Sequence, residues 1–310
     1  MNDTGSPETA GRGTATEYRS GLVALVGRPN VGKSTLLNQL LGYKISITSP
    51  RPQTTRHRIL GIHTTEGAQT VYVDTPGVHK GRGKALNRAL NRTALDSLQQ
   101  VDLAVMVAQA LAWTREDEQV LRHVLAAGRP VILAVNKVDR VRPRTRLLPY
   151  LKAVSERADF AAIVPLSALK GENLQALEAE VRARLPVGPP LFEPDRITDR
   201  SQRFLAAERI REKLFRRLGQ ELPYGLTVEI ERFEELPRLI RLHALIWVEK
   251  PSHKPIVIGH RGRVLKAVGT EARRELEALF GKRIHMELWV KVREGWSDDE
   301  RALRQLGIGE

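Results

Sequence analysis

The stretch Leu22-Val-Ala-Leu-Val-Gly27-Arg28-Pro29-Asn30-Val31-Gly32-Lys33-Ser34-Thr35-Leu36-Leu37-Asn38-Gln39-Leu40-Leu41 decides how the whole chain is read. Its apolar lead-in reads as a buried strand, its centre as a tight loop, and the leucines beyond as one face of a helix. The centre fits the P-loop pattern G-x-x-x-x-G-K-[ST]. Gly27 and Gly32 let the backbone curl so that its N–H groups point inward onto a phosphate chain. The helix that follows adds the positive end of its dipole. Lys33 can reach the β- and γ-phosphates as a point charge, and the Ser34 hydroxyl can ligate Mg2+.

Working outward, Tyr43–Arg58 is polar and basic, holds two prolines and shows no period, so a mobile loop is expected there. A hydroxyl in it can complete the Mg2+ shell from the γ-phosphate side, and either Thr54 or Thr55 can supply one. Ile59–His63 and Thr70–Val73 read as strands paired around Glu66-Gly67, and the second runs into Asp74-Thr75-Pro76-Gly77. Asp74 is placed to hold Mg2+ through water. The Gly77 N–H can bond a γ-phosphate and let go when it leaves.

A helix is expected over Ala85–Gln100, a buried strand over Val101–Ala108, a helix over Arg115–Ala127 and a strand over Val131–Val135. The last of these delivers Asn136-Lys137-Val138-Asp139 at its carboxyl end, where open parallel sheets bind ligands. The Asp139 carboxylate can accept N1–H and the 2-amino group of guanine, a donor pair that adenine lacks. Asn136 would touch the base from another side and tie loops together, while the Lys137 stem lies along the ring. A strand over Ile163–Leu166 ends in Ser167-Ala168-Leu169, whose backbone can bond the guanine O6.

Composition bounds the rest. A chain of 310 residues, 41% hydrophobic and 28% charged, is ordinary globular material long enough for two domains. The absence of Cys excludes disulfides, thiolate metal sites and thiol nucleophiles, and fits a reducing compartment. No apolar run reaches the length of a bilayer span. The net charge of +14 points to a polyanionic partner, an RNA or a phospholipid surface.

GRPNVGKS, QTTRH, DTPG, NKVD and SAL, in that order, resemble a bacterial translation-factor-class GTPase. The tract KISITSPRPQTTRHRILGIHT is similar to the Era family of ribosome-assembly GTPases, and the resemblance covers the chain from about Tyr18 onward. It implies an α/β P-loop GTPase domain, a mostly parallel sheet with helices on both faces, that hydrolyses GTP to GDP and phosphate. Asn30, Lys33 and Thr55 are the implied catalytic residues, with Ser34 and Thr55 on Mg2+ and Asp74 on it through water. Val78 follows DTPG where many GTPases hold a water-orienting Gln, so intrinsic turnover is expected to be slow. Asn30 at its P-loop position resembles a subclass in which a K+ ion beside the phosphates replaces an arginine finger.

The second half begins beyond Leu185–Pro194, a stretch with four prolines in ten residues that reads as a stiff linker. Thr198 or Asp199 can cap a helix from about Ser201 to Leu218, with Phe204, Ala207, Ile210, Leu214 and Leu218 as its core stripe. Strands over Leu226–Phe233 and Leu239–Glu249, then Gly259-His260-Arg261-Gly262, a helix over Arg263–Phe280 and a strand over Arg283–Val292 follow. That order resembles an α+β type II KH domain, whose G-x-x-G loop approaches single-stranded nucleic acid. Lys250–Lys266 carries five Lys/Arg, two His and no acidic residue. Lys254, Ile258, Gly259, His260, Arg261, Gly262 and Lys266 are the expected RNA contacts. Asp298 or Asp299 can begin a short helix that ends at Gly307.

The expected division is a disordered tail over residues 1–19, a GTPase domain over 20–186, a linker over 187–197, an RNA-binding domain over 198–295 and a C-terminal tail over 296–310. Expected partners are GTP and GDP, single-stranded RNA and, by family resemblance, the 3′ end of 16S-type ribosomal RNA and the 30S subunit. The chain is expected to be monomeric and cytoplasmic, with weak peripheral contact at an anionic membrane left open. The alternatives are a membrane-surface or stress-signalling GTPase, and an RNA-binding scaffold with a structural P-loop. A tRNA-modifying relative would add a Cys or a cofactor domain.

Overall fold

The computed structural model describes residues 17–49, 51, 54–77, 85–219 and 222–309. Most of the expected N-terminal tail, together with Val78, lies outside the described residues; strand pairing begins at Arg19.

The lead-in to the P-loop forms β1 (Arg19–Val26), and the loop after it opens α1 (Lys33–Leu41), closed by Gly42 in the left-handed conformation. β2 (Ile59–Thr65) and β3 (Ala68–Asp74) pair as a hairpin around Glu66-Gly67. Then come α2 (Ala85–Gln99), β4 (Leu103–Gln109), α3 (Arg115–Ala126), β5 (Val131–Asn136), α4 (Leu147–Ser155), β6 (Ala162–Pro165) and α5 (Leu174–Arg184). The strands lie in the order β2-β3-β1-β4-β5-β6, parallel throughout except for β2 against β3.

Alternation along β1 explains the two-faced core. Val23 and Leu25 pack with Leu36, Leu37, Leu177 and Val181, while Ala24 and Val26 pack with Val120, Val124 and Val154 on the opposite face. Parallel strands bring their carboxyl ends to one edge, so the loops after β1, β3, β5 and β6 converge. Two helices were not foreseen: α4 is short, with Pro149 in its first turn, and α5 buries only Leu177 and Val181.

The second half contains α6 (Gln202–Arg217), β7 (Leu226–Glu235), β8 (Leu239–Val248), α7 (His253–Ile258), α8 (Arg263–Phe280) and β9 (Arg283–Val292). β8 is the central strand, antiparallel to β7 and parallel to β9. α6 and α8 cover one face of this sheet with Ile210, Leu214, Val268, Ala272 and Leu276. A last short helix, α9 (Glu300–Gln305), starts at an Asp299 cap.

The halves are interlocked rather than spaced apart by the proline-rich segment. That segment is strapped along the first sheet: Gln69 bonds Leu191 and Phe192 through their backbones, and Ile62 N–H donates to the Ile197 carbonyl. Thr198 and Asp199, expected as helix caps, instead bond the backbone of Leu60, and Ser201 caps α6 by accepting from Phe204 N–H. α6 is buried beyond its predicted stripe, including Glu208, Arg209, Arg211, Glu212 and Lys213, because the loop before β2 covers its polar side. Nor is the C-terminal segment a free tail. Ala302, Leu303 and Ile308 pack with Leu86 and Leu90 of α2, and Asp298 Oδ1 accepts the Ala85 N–H at 2.7 Å.

Candidate nucleotide site and nucleic-acid interface

Two glycines set the P-loop backbone. A Cβ on Gly27 would lie 2.4 Å from the Val107 carbonyl oxygen, and one on Gly32 2.3 Å from Asn136 Nδ2. Asn30 occupies the left-handed region with φ of 62°, which Asn tolerates better than most residues. Arg28 does not point into the site: Asp117, which also caps α3, holds its Nε at 3.0 Å and so fixes the loop from behind. Val31 is a core residue whose carbonyl accepts from Asn136.

Lys33 is buried, and its Nζ donates to the Gly27 and Arg28 carbonyls at 3.0 and 3.2 Å. Burial, opposed by Asp74, brings its pKa down to about 8, and an anion in the loop would favour its charged form further. Pro29, Lys33, Ser34, Thr35, Thr55 and Gly77 border a cavity of about 60 Å³. Arg51 also borders it, with a buried Nη1 that lacks a hydrogen-bond partner among the described residues. Sequence reading gave this arginine no role.

Ser34 Oγ lies 2.9 Å from Thr55 Oγ1 and donates to Asp74 Oδ2 at 2.8 Å. Ser46, another residue that spacing does not reveal, donates to the same carboxylate oxygen at 2.8 Å. Burial pushes the Asp74 carboxyl up, partly countered by Lys33 and by the two hydroxyls, and its Oδ1 is buried without a partner among the described residues. Octahedral Mg2+ with oxygens at about 2.0–2.1 Å sets neighbouring ligands about 2.9 Å apart. The Ser34–Thr55 pair has that spacing, and a metal-bound water would satisfy Asp74 Oδ1, so the residues fit Mg2+. Thr54 is turned away, its hydroxyl donating to the Arg51 carbonyl and 2.6 Å from Ser49 Oγ.

Thr75 is buried and bonds the Leu25 carbonyl, and Pro76 follows it into the interior. A Cβ on Gly77 would meet Pro29 N at 3.0 Å, so the DTPG turn lies directly against the P-loop. At the base end, Asn136 ties three loops: its Nδ2 donates to the Val31 carbonyl, and its Oδ1 accepts from Lys137 and Ala168 N–H. Its oxygen is therefore committed to the protein, where a base contact had been expected. Ser167 N–H is likewise spent on Glu172, so two of the three N–H groups expected at the guanine O6 already have partners. Leu169 is exposed. Lys137 spans from this loop to the P-loop through the Asn30 carbonyl at 2.5 Å, and Val138 N–H donates to the Leu166 carbonyl. Ser167 Oγ donates to Asp139 Oδ1 at 2.6 Å and orients the carboxylate.

The loop that carries Thr55 is also anchored in the second half. Thr54 gives its carbonyl to Arg211, whose guanidinium is clamped by both oxygens of Glu208. Arg56, fully buried, donates to the carbonyls of Leu226, Pro223 and Tyr224 and lies over the rings of Phe215 and Trp296. His57 Nδ1 meets the Gly307 carbonyl at 2.8 Å. Glu212 accepts from Lys44 and from Thr48 N–H. Burial works against ionised Glu208, but the Arg211 and Arg56 guanidiniums outweigh it and hold its pKa below the usual range.

On α8's side, Gly259 and Gly262 both adopt positive φ, and a Cβ on Gly259 would strike Val264 Cγ2 at 2.4 Å. Lys254, His260, Arg261 and Lys266 are exposed around this turn. Ile258 is not: it packs partly buried against the core. A groove of about 510 Å³ runs from Gly262 and Lys266 past Gly269 and Arg273 to Met286 and Leu288. Arg273 and Met286 were missed, although Gly262, Lys266, Gly269 and Arg273 share the helical spacing of one face.

Comparisons with known proteins agree with this fold. The model of the 50S ribosome-binding GTPase family matches residues 22–137, and that of the KH domain matches residues 221–297. GTPase Era of Pseudomonas entomophila is 52% identical over 295 residues, covering 95% of this chain and 98% of the relative. GTPase Era of Pseudomonas fluorescens (strain Pf0-1) is 53% identical over 292 residues, covering 94% and 97%. Among solved structures, Era in complex with MgGDPNP and nucleotides 1506–1542 of 16S ribosomal RNA superposes with a TM-score of 0.91. It is 38% identical and covers 94% of this chain and 99% of that one. An Aquifex aeolicus Era variant bound to GDP and aluminium fluoride matches with the same TM-score and identity, covering 93% and 99%.

Proposed function

This chain belongs to the Era family of GTPases, and on that premise we propose that its GTP hydrolysis controls binding of the 3′ end of 16S-type ribosomal RNA during small-subunit assembly. One observation carries the reading. Within Thr54–His57, Thr55 faces the nucleotide site, while Thr54 and Arg56 are fastened to the RNA-binding half and His57 to the C-terminal segment beyond it.

In this account Lys33 and the P-loop N–H groups hold the phosphates, and Asp139 reads the guanine. Ser34 and Thr55 would hold Mg2+, with Asp74 behind it through water; when bound, the ion neutralises charge on the β- and γ-phosphate oxygens. The Gly77 N–H, fixed against Pro29, bonds the γ-phosphate. Water attacks the γ-phosphorus, the bond to the β–γ bridging oxygen breaks to leave GDP and phosphate, and the Gly77 N–H loses its partner. Asn30 at the cavity rim would hold K+, which supplies positive charge beside the phosphates. The 30S subunit is the proposed destination, with the chain acting as a cytoplasmic monomer. No helix among the described residues is long and apolar enough to cross a membrane. Contact with an anionic membrane is supported by net charge alone.

Replacing His260 and Arg261 by Asp tests the RNA assignment. Affinity for a pyrimidine-rich single strand, read by anisotropy at two salt concentrations, is expected to fall at least tenfold. GDP affinity and the thermal melt serve as controls. Unchanged affinity with an unchanged salt slope would reduce G-x-x-G to a turn.

A further inference from the structure

Residues 138–146 leave the guanine-reading loop as two short turns, Val138–Arg140 and Arg144–Arg146, that lead into α4. Val141 is buried in the core behind them, and Tyr150 of α4 bonds the Gln109 carbonyl at the end of β4. Arg140, Arg142, Arg144 and Arg146 are all exposed, one at every second position. From Arg140 to Ser155 the chain has no acidic residue. Arg144 Nη2 lies 3.7 Å from Glu172, Asp139 directly precedes Arg140, and Arg140, Arg142 and Arg146 have no ion pair among the described residues.

We infer that this arginine ridge is a second RNA-binding surface, one that grips the phosphate backbone of a double-helical segment. The inference goes beyond the proposed KH contact and does not depend on it. The groove beside G-x-x-G takes a single strand, because a duplex buries the base edges such a groove reads. Exposed guanidiniums on a braced turn suit the opposite target, closely spaced phosphates on an outer surface. Arg is the fitting residue: its planar fork bonds phosphate through two N–H groups, which a Lys point charge cannot do. A lipid surface fits less well, since the exposed large apolar side chains near the ridge are Leu148 and Leu169, too few to insert as a patch. Arg140 follows Asp139 directly, so RNA on the ridge would sit at the rim of the guanine pocket.

The probe is a blunt RNA hairpin with no single-stranded extension, titrated onto the full-length chain loaded with GDP. Arg142→Gln, Arg144→Gln and Arg146→Gln together should weaken hairpin binding by about tenfold or more. The dependence of log affinity on log salt should become shallower by about 2 to 3, one step per phosphate released. The triple Lys variant at these positions should retain the wild-type salt slope and lose affinity by only a few fold. The loss on replacing Arg142, Arg144 and Arg146 should be of the same size in a His260→Asp, Arg261→Asp background, which separates this surface from the KH reading. Wild-type hairpin affinity in the triple Gln protein, with GDP affinity and melting temperature intact, would overturn the inference. So would tighter ridge-dependent binding to phosphatidylglycerol vesicles than to the hairpin.

Discussion

Thr55 and Arg56 are adjacent in sequence, yet the Thr55 hydroxyl lies 2.9 Å from Ser34 Oγ while the Arg56 guanidinium reaches the Leu226 carbonyl at 2.7 Å in the other half of the molecule. A displacement of Thr55 therefore cannot be absorbed locally. The next residue is fully buried, holds three carbonyls and stacks on two aromatic rings. The start of α2 is joined in the same way, because its first N–H is capped by Asp298.

Thr55→Ala should lower GTP turnover by about a hundredfold, the scale of losing one stabilising group at a developing charge, while GDP affinity changes little. Thr54→Ala should have a much smaller effect, since its hydroxyl serves the loop and its carbonyl survives the change. Single-turnover hydrolysis across a Mg2+ titration distinguishes them. Equal losses in the two variants would remove Thr55 from the metal site.

Asp139→Asn should turn base preference from guanine toward xanthine, because the amide offers a donor to the xanthine 2-carbonyl. The loss against GTP should be about 3–5 kcal/mol, the cost of a mismatched buried hydrogen-bonding edge. Competition binding with XTP and GTP reads it directly. Retained GTP affinity with no gain for XTP would contradict the base-reading role.

GTP hydrolysis should run faster in KCl than in NaCl, and Asn30→Ala should abolish the difference. Steady-state rates in matched buffers decide it. Identical wild-type rates in the two salts would leave Asn30 with only its backbone role at positive φ.

Burial pushes the His57 pKa down from 6.5 to about 4, with Glu208 opposing and Arg211 adding to the shift. A carbonyl only accepts, so Nδ1 carries the proton donated to Gly307 and the ring is neutral in the folded chain. As pH falls below 6.5 the unfolded state takes up a proton that the folded state refuses, so stability declines toward pH 4. Allowing for solvent at the half-buried ring, the loss by pH 5 should be about 1 kcal/mol. His57→Gln, whose amide can still donate to Gly307, should flatten this part of the profile in chemical melts at pH 5 and 7. An unaltered profile would place the titration elsewhere.

The nucleotide loops were legible because their chemistry is local: a phosphate cradle or a guanine-reading carboxylate needs fixed residues at short spacing, each after an apolar run. The order of elements around Gly259–Gly262 was legible for the same reason. Contacts between the halves were not. Glu208, Arg209, Arg211, Glu212 and Lys213 have the composition of a solvated helix face, and it is the loop folded over them, together with Glu275 of α8, that makes them interior. Spacing left Thr54 and Thr55 equivalent, and the difference lies in which side chain the backbone turns toward Ser34. Ser46 and Arg51 reach the cavity across the fold, so no motif announces them.

The central claim is that the nucleotide site and the RNA groove are coupled through Arg56. Its most direct test is single-stranded RNA affinity of the full chain, measured by anisotropy with Mg2+ and either GDP or GDPNP. The account predicts affinities that differ by about tenfold between nucleotides, within the usual range for coupled sites. In Arg56→Lys, which keeps the charge but loses the fork that holds three carbonyls, the ratio should fall close to one while the protein remains folded. Equal affinity in both nucleotide states of the wild type, or an unchanged ratio in Arg56→Lys, would contradict it.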